Sequence, residues 1–101
     1  MAEEDPLGVP FGDDPVEWAR RFDLLSDPSR LKLLLSMHMR PGSPVGDLAE
    51  AADMSPTATS QALRVLREQG WVVAERDGRI MRYRLIDATA HNLLHFMGQR
   101  H

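Results

Sequence analysis

Three capping residues that stand before apolar runs of helical period are each followed directly by proline: Asp14-Pro15, Asp27-Pro28 and Ser55-Pro56. The side-chain oxygen of Asp or Ser accepts backbone N–H groups left orphaned at a helix start, and proline, which has no N–H to lose, fits the first helical position. Each pair therefore fixes where a helix begins. The first predicts a helix from about Pro15 to Leu25, with Glu17 three residues after the cap as in a capping box and Trp18, Phe22 and Leu25 forming an apolar stripe. The second predicts a central helix through Leu31, Leu34, Leu35 and Met39, with Leu33 and Met37 beside them, until Pro41 and Gly42 stop the pattern. After a turn over 40–44, Val45, Leu48, Ala49 and Ala52 give a short third helix, linked tightly by Asp53 and Met54 to the third cap. The fourth helix then runs from Pro56 to about Gln69, with Leu63 and Leu66 inward and Gly70 at its C-terminal end.

Beyond Gly70 the period changes. Residues 71–76 are rich in β-formers and Asp77-Gly78 is a strong hairpin signal. Residues 80–85 then alternate Met81, Tyr83 and Leu85 on one face with Arg82 and Arg84 on the other. A two-stranded hairpin with a basic outer face follows. Asp87 caps a last helix that carries Ala90, Leu93, Leu94 and Met97 on one side, with nothing left in the chain to cover it except another copy. The fold class is mainly α with a small β-hairpin, in the order α-α-α-α-β-β-α. Residues 1–13, with Pro6, Gly8, Pro10 and Gly12 at every second position, read as an acidic disordered arm, and 14–101 as one domain.

At 101 residues the chain suits one domain whose modest core favours a partner subunit. No apolar run approaches the ~20 residues of a membrane span, so a soluble, cytoplasmic protein with no membrane partner is expected. The absence of cysteine leaves His, Asp and Glu as metal ligands. The net charge of −3 hides a gradient. Residues 1–27 hold eight acids against Arg20 and Arg21, whereas 56–86 hold six arginines against three acids. Positive charge is thus concentrated on the fourth helix and the hairpin.

Helix, tight turn, helix and basic hairpin is the order of a winged helix-turn-helix, in which the second helix enters the major groove of double-stranded DNA and the hairpin touches the backbone. Thr57, Ser60, Gln61 and Arg64 lie away from Leu63 and Leu66, supplying hydroxyls for phosphates and polar forks for base edges. Arg76, Arg79 and Arg82 of the wing, with Arg84, supply phosphate contacts. The motifs Leu24-Leu25-Ser26-Asp27-Pro28-Ser29-Arg30-Leu31, Val45-Gly46-Asp47-Leu48-Ala49-Glu50, Ser60 through Gly70, Arg76-Asp77-Gly78-Arg79 and Tyr83-Arg84-Leu85 together resemble the ArsR/SmtB family of bacterial regulators over roughly residues 15 to 97. The resemblance implies a homodimeric winged-helix repressor paired through its first and last helices, here Trp18, Phe22, Leu93, Leu94 and Met97, with many members releasing DNA on binding metal. Gln61 and Ala62 depart from the polar or His residues common after Ser60, so the operator is not inherited by analogy.

The same resemblance implies two classes of metal site. The Cys-x-Cys of soft-metal sensors is absent, since Ser43 to Leu48 contain no sulfur. In the second class, on the last helix, Asp87 matches the first ligand position but Thr89 replaces the His. What this chain offers there for Zn²⁺ or Ni²⁺ is His91 and His95 at i, i+4, with Asp87 and His101. Set against this, Asp87 has a sufficient role as an N-cap, and His91 and His95 have one as partly exposed packing. His38, alone beside Met37 and Met39, reads as a satisfied or exposed helix-end histidine rather than a ligand. A hydrolytic metalloenzyme is set aside for want of an HExxH motif, a phosphate loop or a Ser-His-Asp arrangement. The remaining alternative is a winged-helix protein-interaction adaptor without metal sensing.

Overall fold

The computed structural model of the protein describes residues 14–97. The expected arm over 1–13 and His101 lie outside the described residues. Five helices and three strands follow in order: α1 (Pro15–Leu25), α2 (Pro28–Met39), β1 (Ser43–Pro44), α3 (Val45–Ala52), α4 (Pro56–Glu68), β2 (Val72–Asp77), β3 (Ile80–Leu85) and α5 (Ala88–Phe96). The capping residues act as their chemistry dictates. Asp27 accepts the backbone N–H of Arg30 at 2.9 Å, Ser55 that of Ala58 at 3.1 Å and Asp87 that of Ala90 at 2.8 Å. Asp14 accepts the N–H of Val16, but the expected capping box is not closed, because Glu17 turns outward to Arg20 at 3.0 Å.

The core is built around α2, where Leu33, Leu34 and Met37 have no exposed surface. Residues at two successive positions are sealed together, so α2 is covered on more than one face. The elements that cover it are α1, α3, β3 and α5. Leu48, Leu63, Leu66, Trp71 and Val72 complete the cluster from the other side. On α1 the buried residue is Leu24, while Trp18 and Phe22 stack at 5.9 Å on the outer side and Phe22 remains 56% exposed. The predicted stripe is thus split between the core and the surface. The last helix corrects the expectation that nothing in the chain covers it. Leu94 and Ala90 are fully buried within the protomer, and what α5 leaves outside is Phe96 and Met97, with Leu93 half-buried.

The sheet also differs from the expected two-stranded hairpin. Ser43 and Pro44 form a third strand, giving the order β1-β3-β2, with Ser43 opposite Tyr83 and Pro44 opposite Arg82. A two-residue strand containing proline carries no alternation to read, and proline is tolerated because β1 lies at the sheet edge. Asp77 pairs with Ile80, so the turn residues are Gly78 and Arg79, with Gly78 at φ +63°. Positive φ at the first central residue alone matches a type II′ turn, which gives glycine its place there.

Arg30 ties the first two helices together. Its Nε donates to the carbonyl of Leu24 at 3.1 Å and its Nη2 to that of Asp23 at 2.8 Å, closing the exposed C-terminal end of α1 onto the start of α2. Arg30→Ala should lower the unfolding free energy by about 1–3 kcal/mol, as expected for charge-assisted bonds that are partly shielded. Urea denaturation checks this, with a lower midpoint at unchanged slope as the expected result.

Candidate nucleic-acid interface and histidine cluster

The turn between α3 and α4 is made by local backbone chemistry. Asp53 sits in the left-handed region at φ 54°, and the N–H of Met54 donates to the carbonyl of Ala49 at 2.9 Å while that of Asp53 reaches Glu50 at 3.2 Å. This is the helix-ending pattern that glycine usually supplies, with an aspartate in its place. The same pattern ends α4, where Gly70 at φ 78° and the buried Trp71 donate to Arg67 and Leu66. Ser55 then restarts the chain as the cap of α4, and the hydroxyl of buried Thr59 donates back to the Ser55 carbonyl at 2.8 Å.

Thr59, Leu63 and Leu66 bury one side of α4. Thr57, Ser60, Gln61 and Arg64, spaced i, i+3, i+4, i+7, are all exposed and form the opposite stripe. Among the described residues Arg64, Arg67, Arg76 and Arg79 make no ion pair or hydrogen bond, so their guanidinium groups are available to a ligand. Arg79 stands at the hairpin tip, and Arg76 at the far end of β2.

The other two wing arginines are engaged within the protein. Arg82 donates from Nε to Asp77 at 2.9 Å and from Nη1 to the carbonyl of Gly42 at 3.1 Å, and Arg84 donates to Glu75 at 3.0 and 3.1 Å. Both pairs are diagonal across the β2–β3 ladder, in which Glu75 faces Arg82 directly. The basic face expected from Arg82 and Arg84 is therefore largely neutralised, and the open positive charge lies at Arg64, Arg67, Arg76 and Arg79.

The histidines are brought together in a way the sequence did not announce. His38 of α2 is 4% exposed and lies under α5, its ring 4.6 Å from that of His91 and 6.3 Å from that of His95. The His91 and His95 rings are 6.2 Å apart and nearly parallel. His38 thus stands at the end of α2, but buried and beside two other histidines rather than alone, and only the packing of α5 on α2 could have revealed this. As the side chains stand, no three His, Asp or Glu donors among the described residues are arranged to hold a metal ion. Asp87 is occupied as the cap of α5.

Residues 27–80 match the model of the MarR family. The chain is 45% identical over 76 residues to the HTH-type transcriptional regulator NmtR of Mycobacterium tuberculosis, covering 75% of this chain and 62% of NmtR. It therefore spans less than two thirds of that relative's length. The crystal structure of AntR, titled an antimony-specific transcriptional repressor, superimposes with a TM-score of 0.79 at 28% identity, over 94% of this chain and 83% of that one. The solution structure of the homodimeric winged helix-turn-helix DNA-binding domain of Mb0332 from Mycobacterium bovis, titled a possible ArsR-family regulator, superimposes at 0.72 with 25% identity, over 86% and 85% of the two chains. With the α3–α4 turn, the stripe on α4 and the hairpin behind it, these matches define a winged helix-turn-helix chain similar to proteins named as transcriptional regulators. The chain belongs to the ArsR/SmtB family.

The left-handed turn offers a direct test. Asp53→Val should cost about 1–2 kcal/mol, because a branched Cβ clashes in that region, whereas Asp53→Gly should be neutral or stabilising. Thermal unfolding of the two variants checks the ordering.

Proposed function

We propose that this protein is a homodimeric repressor that binds double-stranded operator DNA through α4 and the wing and is controlled by a divalent transition metal. The observation that carries the DNA-binding reading is the exposed stripe of Thr57, Ser60, Gln61 and Arg64 on the second helix of the helix-turn-helix, with the unpaired arginines beside it. Arg64 and Gln61 are suited to base edges, since a guanidinium fork matches the two acceptors of guanine and an amide fork matches adenine. Thr57 and Ser60 offer hydroxyls to phosphate, and Arg76 and Arg79 offer charge. Arg82 would act from its bridge to Asp77, as a weaker phosphate contact and a support for the hairpin. Four open arginines on the helix and wing of a chain of net charge −3 favour a polyanion such as DNA over the adaptor reading. The relatives above carry the names of regulators, and the chain is read as non-catalytic. No helix among the described residues is long and apolar enough to cross a membrane, and action on DNA in the cytoplasm is part of the same proposal.

Dimerisation is supported by the apolar surface left outside on the first and last helices. Phe22 is 56% exposed, Phe96 89% and Met97 53%, with Trp18 and Leu93 half-buried beside them. Large apolar groups so placed mark an interface. Leu94 of the same last helix is buried within the protomer. For the effector, His91 and His95 are the donors the last helix presents, and imidazole suits Zn²⁺ and Ni²⁺. Asp87 and His101 are the further members of the ligand set proposed from the sequence.

Fluorescence anisotropy on the promoter upstream of the protein's own gene tests the DNA reading. Arg64→Ala should weaken binding to the specific site more than to random DNA. Arg79→Ala should weaken both equally and reduce the salt slope by about one. Equal loss of both affinities in Arg64→Ala overturns the base-reading role. For the dimer, the parent should sediment as two chains at micromolar concentration, and Phe96→Glu should dissociate it with an unchanged circular dichroism spectrum.

A further inference from the structure

The cluster beneath α5 holds three imidazoles, although the sequence offers only two on that helix. We infer that His38 of α2 is the third ligand of a divalent transition-metal site contained within one protomer, together with His91 and His95. This rests on the proposal that α5 carries the effector metal, and it changes what that metal would hold together.

The ring positions support it. Two imidazoles sharing one tetrahedral ion at N–metal distances of about 2.0–2.1 Å have ring centres about 5 Å apart. The His38–His91 separation of 4.6 Å is already near that value, and His95, at 6.2 and 6.3 Å, must close by about an ångström to reach it. His91 and His95 are exposed and free to change rotamer, whereas His38 is fixed by burial. The immobile ring thus serves as the anchor and the two surface rings as the closing pair.

The surroundings fit a cation held by neutral donors. A crevice of about 240 Å³ opens beside His38 and His91, lined by Met37, Pro41, Arg84 and Leu85 as well, with His95 outside it. Arg84 is the one charged group on it, and its guanidinium is compensated by Glu75 at 3.0 Å. Three imidazoles leave room for water or one further donor at the fourth position. Thiolate-preferring ions gain nothing here, as the chain has no cysteine.

The consequence is a clamp between α5 and α2. A site shared only along α5 would stiffen one helix, whereas this one joins the interface helix to the helix against which α3 and β3 pack. Metal occupancy would then bias the position of the DNA-reading elements through α2.

Isothermal titration calorimetry with Zn²⁺ and with Ni²⁺, on the parent, His38→Gln and His91→Ala/His95→Ala, tests the inference. The expected result is loss of binding in the double variant and at least tenfold weaker binding in His38→Gln. Parent-like affinity in His38→Gln with loss in the double variant overturns the role of His38 and leaves metal on α5 intact. Parent-like affinity in the double variant overturns both. Phe96→Glu should still bind one ion per chain, and loss of binding in that monomer shows that the site spans two protomers, against the inference. Should His38→Gln fail to fold, imidazole nitrogen NMR of the parent decides: three rings shifting on Zn²⁺ addition support the site, and an unmoved His38 overturns it.

Discussion

Every other part of this small protein depends on the burial of α2. Leu33, Leu34 and Met37 are removed from solvent together, and each fully buried aliphatic side chain contributes about 1.5–3 kcal/mol relative to exposure. One chain this short has few such residues to spare, so α1, α3, β3 and α5 all share the same helix as their floor. The arrangement has a functional side. The helix against which α3 packs on one flank receives α5 on the other, so the proposed reading head and the proposed subunit interface rest on a common support.

Much of this was legible because it is written locally. Asp27-Pro28 and Ser55-Pro56 mark helix starts through capping bonds that reach only three residues ahead, and the structure closes each of them. Gly70 and the alternation of Met81, Tyr83 and Leu85 are equally local signals. What escaped reading depends on long-range packing. Ser43 and Pro44 become a strand only because β3 lies alongside. Leu94 is core rather than interface because α5 folds back on α2, and the same fold-back brings His38 beneath His91. No spacing along the chain encodes that meeting. On α4 the outward stripe follows from helical period alone, whereas the pairing of Arg82 and Arg84 needed the strand register to become visible.

The charge distribution of the interface is therefore sparser than a count of arginines suggests, and more directed. Surface ion pairs such as Arg84–Glu75 contribute little to stability, about 0–1 kcal/mol, but they decide which guanidinium groups remain available. Those at Arg64 and Arg67 line one side of a groove whose other wall is Val72, Val73 and Ala74 of β2. Helix and wing thus meet in a single concave surface, with Arg64 and Arg67 on its helix side beside Glu68.

The short edge strand has a mechanical meaning. The N–H of Gly42 donates to the carbonyl of Tyr83 at 3.0 Å, and Arg82 returns a bond to the carbonyl of Gly42 at 3.1 Å. The hairpin is fastened at the middle of β3 to the segment that follows α2 rather than swinging from its own two strands. A free flap would have to surrender its motional freedom each time it settled on a phosphate backbone, and that loss would be subtracted from the contact energy. A fastened wing has made most of that sacrifice during folding. In the proposed complex with DNA the wing would arrive already stiff, with little freedom left to surrender.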